Sequence, residues 1–445
     1  MTDGPGEVSP RTIVFFPEGA HGPTNNCIGI GDVLRRRGHR VIFIIEESFA
    51  GRLAAQGFEE RLMRLGPPPA AEEVAGQFWI DFIRDTAPVF RRSTLEQLEA
   101  FIRPTWQALV DGARYVEPRL REILAELRAD VVVEDNVVGF PAVVASGRPW
   151  VRIVSCNPAE LKDALVPPVF SGLPAADGSA WTDFREEYRR THGDLWADFD
   201  AFVRSAGAPS LAELEFIHES PWLDLYVFPA EADYLRSSPL GPTWHRLDAC
   251  VRTTDAPWSP RPELADVGGR LVYLSLGSLG SADVELMQRL LDLLGRTRHR
   301  VVVSMGPLAG QLRLPPNAIG EAFLPQTSVL PQVDLVITHG GNNTVTESFH
   351  FGRPMLVLPL FWDQHDNAQR VAETGFGERL PTYDFEDEAF LAALERLLDD
   401  ELLARRLAGV AARLRANPGT VRAADLIERV ATTGEPVLRE TALAG

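Results

Sequence analysis

The residues best suited to chemistry stand together between Phe323 and Asn367, in FLPQTSVLPQVDLVITHGGNNTVTESFHFGRPMLVLPLFWDQHDN. An apolar run, Asp334–Thr338, leads into His339-Gly340-Gly341-Asn342-Asn343-Thr344 and then into a helical pattern. Two glycines let the backbone come close to a ligand. The free amides of a helix's first turn, with the helix dipole behind them, attract an anion. His339, Asn343 and Thr344 add side-chain donors there without any formal positive charge, and Gly341 and Asn342 sit where the first-turn amides begin. Glu347 lies four residues after Asn343, on the same helical face, where it can accept hydrogen bonds from a ribose diol. Asp363 and Gln364 close the next apolar run, PMLVLPL, and can grip the hydroxyls of a neutral sugar. Each piece alone is common turn or cap chemistry. Their order and spacing in one segment point to a sugar carried on a diphosphate.

These residues need a scaffold, and the hydrophobic pattern supplies one. Arg11–Phe16 is a buried-strand run, Pro17–Asn26 reads as a loop, and a helical stretch through Arg37 is closed by Gly38 before a second strand, Val41–Ile45. That is a βαβ unit, which implies a parallel sheet. Further strands are expected at Asp130–Val133, Trp150–Ser155 and Trp222–Phe228, with helical, aromatic-rich stretches at Val74–Leu127 and Asp183–Glu219. Residues Ser237–Arg270 hold five prolines and little periodicity, the mark of a linker. From Leu271 the alternation restarts with LVYLSLG, VVVSMG, AIGEAFLP, DLVITHGG and PMLVLPL, and three more helices are expected to complete the chain. We therefore expect an α/β fold of two facing doubly wound domains with a cleft between them. The N-terminal domain spans 1–250, the linker 251–269 and the C-terminal domain 270–445, the last helix packing back on the N-terminal domain. Ligands of such sheets bind at the carboxyl ends of the strands.

Composition narrows the partners. The 445 residues carry a formal charge of −18, with Lys162 the only lysine, so no basic stripe or Walker A motif exists to take a nucleic acid or a nucleotide by its phosphates. Three scattered cysteines, Cys27, Cys156 and Cys250, make neither a disulfide framework nor a zinc site. No apolar run is long enough to span a membrane and the amino terminus lacks a charged-then-apolar leader, so a cytoplasmic protein is expected. Asp198-Phe199-Asp200 mimics a metal-binding DxD, but it falls in a helical stretch where i and i+2 face apart.

The Phe323–Asn367 segment closely resembles the signature of the UDP-glycosyltransferases, W-x-P-Q, then H-C-G-W-N-S-x-x-E, then D/E-Q. Here it reads Phe323, Pro325-Gln326, His339 to Thr344, Glu347 and Asp363-Gln364. The resemblance implies a GT-B fold of two facing Rossmann-like domains with an interdomain cleft, and an inverting transfer that needs no metal and no cofactor. By the same resemblance, Phe323 stacks on the nucleobase and Gln326 helps hold the nucleoside. His339, Asn343 and Thr344 bind phosphates, Glu347 the ribose, and Asp363 and Gln364 the sugar. Ser278, in the turn after Leu271–Leu276, matches the family's other phosphate-contacting loop. Phe for Trp shrinks the stacking platform, while Thr344 for Ser is conservative. The implied partners are a nucleotide sugar, UDP-glucose ahead of a TDP sugar, and a hydrophobic small-molecule acceptor, with the protein a monomer or homodimer.

Transfer to a hydroxyl requires a base. A histidine oriented by a carboxylate suits the task, and the family uses a His–Asp pair of this kind. His21 lies in the loop after the first strand, and Asp135 just past the strand Asp130–Val133, on the same side of the sheet. Counted back from Arg37-Gly38-His39, His21 stands about two residues earlier than in the family pattern. Glu134 competes with Asp135 but should face the other way. The aromatics Phe78, Trp79, Phe82, Phe90, Trp106, Trp181, Phe184, Tyr188, Trp196 and Phe199 are expected to be mostly core, a minority lining an acceptor pocket. The rival readings are a nucleotide-sugar epimerase of the same fold and a non-catalytic nucleotide-sugar-binding partner.

Overall fold

A computed structural model describes residues 9–67, 87–264 and 267–439. Among them, two all-parallel sheets carry the fold. The first runs in the order β3-β2-β1-β4-β5-β6-β7, built from β1 (Thr12–Pro17), β2 (Arg40–Glu46), β3 (Glu59–Met63), β4 (Val131–Asp135), β5 (Trp150–Val154), β6 (Leu223–Tyr226) and β7 (Trp244–Arg246). The second runs β10-β9-β8-β11-β12-β13, from β8 (Leu271–Ser275), β9 (Arg300–Ser304), β10 (Ala318–Glu321), β11 (Leu335–Thr338), β12 (Met355–Val357) and β13 (Gly377–Arg379). Both orders are Rossmann-like, with a topological switch point between the first and fourth strands. Those points are β1/β4, where Pro17 stands opposite Asp135, and β8/β11, where Ser275 stands opposite Thr338.

The central strands read as unbroken apolar runs because helices cover both faces of each sheet. Ile13, Val14, Phe15 and Phe16 are buried, as are Leu335, Val336 and Ile337. Of the predicted core aromatics, Phe90, Trp106, Trp181, Phe184, Tyr188 and Phe199 are buried and Trp196 is partly so, while Phe78, Trp79 and Phe82 lie outside the described residues.

Four features depart from the expected elements. Helix α1 (His21–Arg36) begins inside the stretch read as a loop, because glycine and proline in a first turn do not disturb bonds that a helix lacks there anyway. Strand β7 lies within the proline-rich stretch, and β13 is a three-residue edge strand with no pattern to announce it. After α2 (Asn342–Phe351), four helices follow where three were expected: α3 (Gln364–Glu373), Asp387–Asp399, Glu401–Ala416 and α4 (Gly419–Thr433). Asp400 divides the middle pair, its side chain accepting from the Leu403 amide at 2.9 Å as an N-cap.

Helix α4 returns to the first domain. Its buried residues Ala423, Ala424, Ile427 and Val430 recur at helical spacing and join Ile13, Phe15, Ile28 and Phe43 in one core. His39, next to Gly38, is buried and ties that return. Its Nδ1 accepts from the Arg11 amide at 3.1 Å and its Nε2 meets Glu428 at 3.0 Å. No helix among the described residues is long and apolar enough to cross a membrane.

Candidate active site

The loops leaving β1, β4, β8 and β11 meet where the two sheets face each other, and the contacts between them are polar. The Asn343 amide donates to the Gly22 carbonyl at 2.9 Å and accepts from Asn26 at 3.0 Å. Asn342 donates to the Val227 carbonyl at 3.0 Å. The Asn157 amide N–H donates to Asp363 at 2.8 Å, and its side chain donates to Asn367 at 2.8 Å. Asp366 accepts from the amides of Phe170 (2.6 Å) and Gly172 (2.8 Å).

The loop after β11 is shaped around His339. A Cβ on Gly277 would stand 2.7 Å from His339 Nε2, and one on Gly341 would stand 2.6 Å from it, so the imidazole edge lies between two residues that must lack side chains. One comes from the loop after β8 and the other caps α2, so the ring joins the two loops. Burial pushes the His339 pKa down to about 4, partly offset by a hydrogen bond to the Ser275 backbone. His339 is therefore neutral at pH 7. Ser278 falls in the short helix Gly277–Gly280 of the same loop.

Gln326 opens the helix Gln326–Val329 and donates to Glu347 at 2.7 Å and to Thr344 at 3.3 Å, while Tyr273 donates to its carbonyl oxygen at 3.3 Å. Glu347 also takes Arg252 at 3.2 Å, and Arg252 is held bidentately by Asp255 at 2.7 and 2.8 Å. Burial raises the Glu347 carboxyl above its ordinary range against the opposing effect of Arg252. Phe323 is 57% exposed, which leaves a ring face open to stack on a base. Gln364 receives the Leu360 and Phe361 amides at 3.0 and 3.3 Å, leaving its NH₂ group without a partner among the described residues. The structure thus gathers Ser278, Gln326, His339, Gly341, Thr344 and Glu347 around one loop pair and sets Asp363 and Gln364 at the next strand end. Asn342 and Asn343 point their side chains the other way, onto the first domain.

The proposed base pair is not brought together. His21 is the first residue of α1, with Arg52 at 3.5 Å, the Phe49 ring at 5.4 Å and the Phe323 ring at 6.3 Å. Burial, then Arg52 and Arg252, lower its pKa. Asp135 accepts from Ser155 at 2.7 Å, its second oxygen has no partner, and burial pushes it up to about 8. No hydrogen bond joins His21 to Asp135. Glu134 faces the opposite side, near Arg152 and Asp224, with both oxygens unpartnered and burial raising it to about 8. The DxD mimic is structural: Asp198 pairs with Arg114 at 2.6 Å, and Asp200 holds Arg204, Ser210 and the Leu211 amide.

Several site residues carried no sequence signal. Arg252 sits in the proline-rich stretch, and Asn26 and Asn157 gain meaning only when the other domain arrives. Asp366 and Asn367 lay in the quoted segment without an assigned role. Trp362, just before Asp363, adopts φ 58, a left-handed conformation rare for an aromatic residue.

Two Rossmann-like domains with switch-point loops facing across a polar crevice define the GT-B glycosyltransferase class. Residues 266–409 match the family described as UDP-glucoronosyl and UDP-glucosyl transferase. The chain is 26% identical to the oleandomycin glycosyltransferase of Streptomyces antibioticus, over 95% of this chain and 91% of that one. It is 25% identical to the demethyllactenocin mycarosyltransferase of Streptomyces fradiae, over 94% and 86%. Among solved structures, the glycosyltransferase of kitacinnamycin shares the fold with a TM-score of 0.65, 23% identity and coverage of 94% and 98%. The chain is a glycosyltransferase, and its residues 266–409 resemble the UDP-glycosyltransferase family.

Proposed function

We propose that the protein moves a hexose, glucose first, from a uridine diphosphate sugar to a hydroxyl of a hydrophobic small molecule, with inversion and without a metal. The observation that carries this reading is the neutral His339 imidazole held between Gly277 and Gly341 at the start of α2. Such a site takes a diphosphate by amide and imidazole N–H groups and stabilises it as it leaves. Asp363 and Gln364 fit a sugar with free hydroxyls. The acceptor oxygen approaches from the opposite face, so an α-linked donor yields a β-glycoside.

The acceptor half of the reading rests on the aromatic and apolar side chains Trp106, Phe170, Tyr188, Leu214, Phe216 and Trp362, which gather around a small cavity that Glu160, Lys162 and Glu215 also line. Trp106 stacks on Phe216 with ring centres 4.3 Å apart, and Phe170 meets Trp362 at 4.5 Å across the domain boundary. Phe170, Leu214 and Trp362 all have positive φ, at 70°, 59° and 58°. Strained backbone persists where the surroundings hold it, and it gathers at ligand clamps. This aromatic wall suits a flat or apolar acceptor, and relatives are named for oleandomycin and demethyllactenocin.

The test is to incubate the protein with UDP- and TDP-sugars and a panel of phenols, terpenoids and macrolides, following products by mass. The expected result is a hexose adduct from UDP-glucose, unchanged by EDTA. A preference for TDP sugars overturns the choice of nucleotide. Epimerised donor without acceptor, or thermal stabilisation by UDP with no turnover, overturns the transfer reading in favour of an epimerase or a binding partner.

A further inference from the structure

We propose that Glu18, three residues before His21, is the base that takes the acceptor's proton. The inference rests on the donor and acceptor reading above and assigns the step that His21 is poorly placed to perform. His21 stands on the nucleobase side of the crevice, beside Phe323, and the two cations nearest it, Arg52 and Arg252, oppose its taking up a proton. Among the described residues no carboxylate is hydrogen-bonded to it.

Glu18 has the complementary surroundings. Its main chain is pinned at the β1/β4 switch point. The Glu18 amide donates to the Asp135 carbonyl at 2.9 Å, and its own carbonyl accepts from the Ala20 amide at 2.7 Å and Thr24 Oγ1 at 3.3 Å. Its half-buried carboxylate has neither a hydrogen bond nor an ion pair among the described residues. The charged groups around it are Glu160 after β5 and Asp363 from the other domain, with Asp135 on β4 and the Cys156 thiol also close. Arg152, the cation that acts on both Asp135 and Glu160, is committed to Glu160 at 2.7 Å. Asp135 Oδ2, almost wholly buried, is a second unpartnered oxygen in the same group. Among the described residues no three acidic, histidine or cysteine side chains are placed to hold a metal, so these carboxylates do not form an ion cage.

Burial, then Glu160 and Asp363, raise Glu18 to about 7, where an ordinary glutamate would be too weak a base. Glu18 directly follows the carboxyl end of β1, where Pro17 stands opposite Asp135, and Asp363, the residue proposed to hold the sugar, caps the helix that follows β12. In the transfer, a Glu18 oxygen accepts the hydroxyl proton as the acceptor oxygen bonds to the anomeric carbon. The bond from that carbon to the diphosphate breaks, and its electron pair leaves with the nucleotide.

The experiment compares wild type, E18Q, E18A and H21Q with UDP-glucose and the phenol panel, alongside UDP affinity by calorimetry. E18Q should lose about 10²–10⁴-fold in kcat with UDP affinity within about threefold, H21Q should stay within about tenfold, and formate should restore part of the E18A rate. E18Q within about fivefold of wild type, or H21Q falling as far as E18Q, overturns the assignment. Absence of transfer by the wild type refutes the function and not this residue. Infrared difference between wild type and E18Q decides Glu18 in either case: a carboxyl losing its proton at about pH 6–8 supports it, and none in that range overturns it.

Discussion

Replacing Gly341 with alanine tests the donor loop with a single methyl group. Gly341 has φ −59, so alanine fits the backbone without strain, and the whole effect falls on what the methyl meets. It would stand 2.6 Å from His339 Nε2, and ordinary contact begins at 3.4 Å, so the imidazole must retreat by about 0.8 Å. A hydrogen bond does not survive such a shift at a fixed phosphate. One bond to a charged group is worth about 1.5–3 kcal/mol, which corresponds to roughly 10–150-fold. We expect UDP binding, measured by calorimetry, and kcat/KM for the donor to fall within that range while the acceptor KM stays constant. The decisive comparison is a double-mutant cycle with H339A, in which the added methyl has nothing to strike. If G341A weakens UDP binding as much in the H339A background as in wild type, the close packing of Gly341 on His339 is not the cause. Gly409 supplies a control, since a Cβ there meets nothing within 4 Å. G409A should leave UDP binding alone and raise the melting temperature, because alanine in a helix interior is worth about 1 kcal/mol over glycine.

Two further outcomes follow from the buried polar groups. Glu134 is raised from 4.5 to about 8, so the folded chain keeps a proton that the unfolded chain releases, and stability is lost as pH climbs through that window. E134Q cannot ionise, so its melting temperature should gain on wild type between about pH 5 and about pH 8.5; a constant difference across that range would contradict the shift. N343A removes the bond to Gly22 and strands the buried Asn26, each hydrogen bond being worth about 0.5–1.5 kcal/mol. UDP affinity should drop about tenfold and amide exchange in the first turn of α1 should quicken, whereas unchanged exchange would show that this contact does not hold the domains together.

Much of the scaffold was legible because buried parallel strands are continuous apolar runs, and Phe323–Asn367 was legible because its glycines, amide and carboxylates keep fixed spacing along one chain segment. The start of α1 was not. Gly22-Pro23 looks like turn chemistry in a sequence, and only geometry distinguishes a turn from a first helical turn. The strand inside the proline-rich stretch was hidden because Trp244–Arg246 is too short to show a period. The roles of Asn342 and Asn343 could not be read because their side chains are satisfied by the first domain, hundreds of residues away. Glu18 looked like an ordinary loop glutamate until Glu160 and Asp363 came beside it.

The signature segment therefore serves two ends. His339, Gly341 and Thr344 face the loops proposed to take a diphosphate, while Asn342, Asn343, Asp366 and Asn367 hold the domains together through bonds to the first domain or the adjoining loop. Asp363 belongs to both sets, because Asn157 holds one of its oxygens at 2.8 Å while the residue stands at the sugar end. Closure and donor binding are then linked: whatever orders Asp363 for a sugar also draws Asn157 and the β5 loop toward it. The net charge of −18 fits the proposed reading, in which fixed dipoles and a neutral imidazole meet the anionic donor without a basic surface. Arg252, which lies in a cluster with Glu347 and Asp255, is the one cation placed by a residue assigned to the donor among those described above, and both its carboxylate partners already balance it. In the proposed reading, a ribose that donates hydrogen bonds to Glu347 competes with Arg252 and Gln326 for the same two oxygens, so nucleoside entry requires that cluster to rearrange.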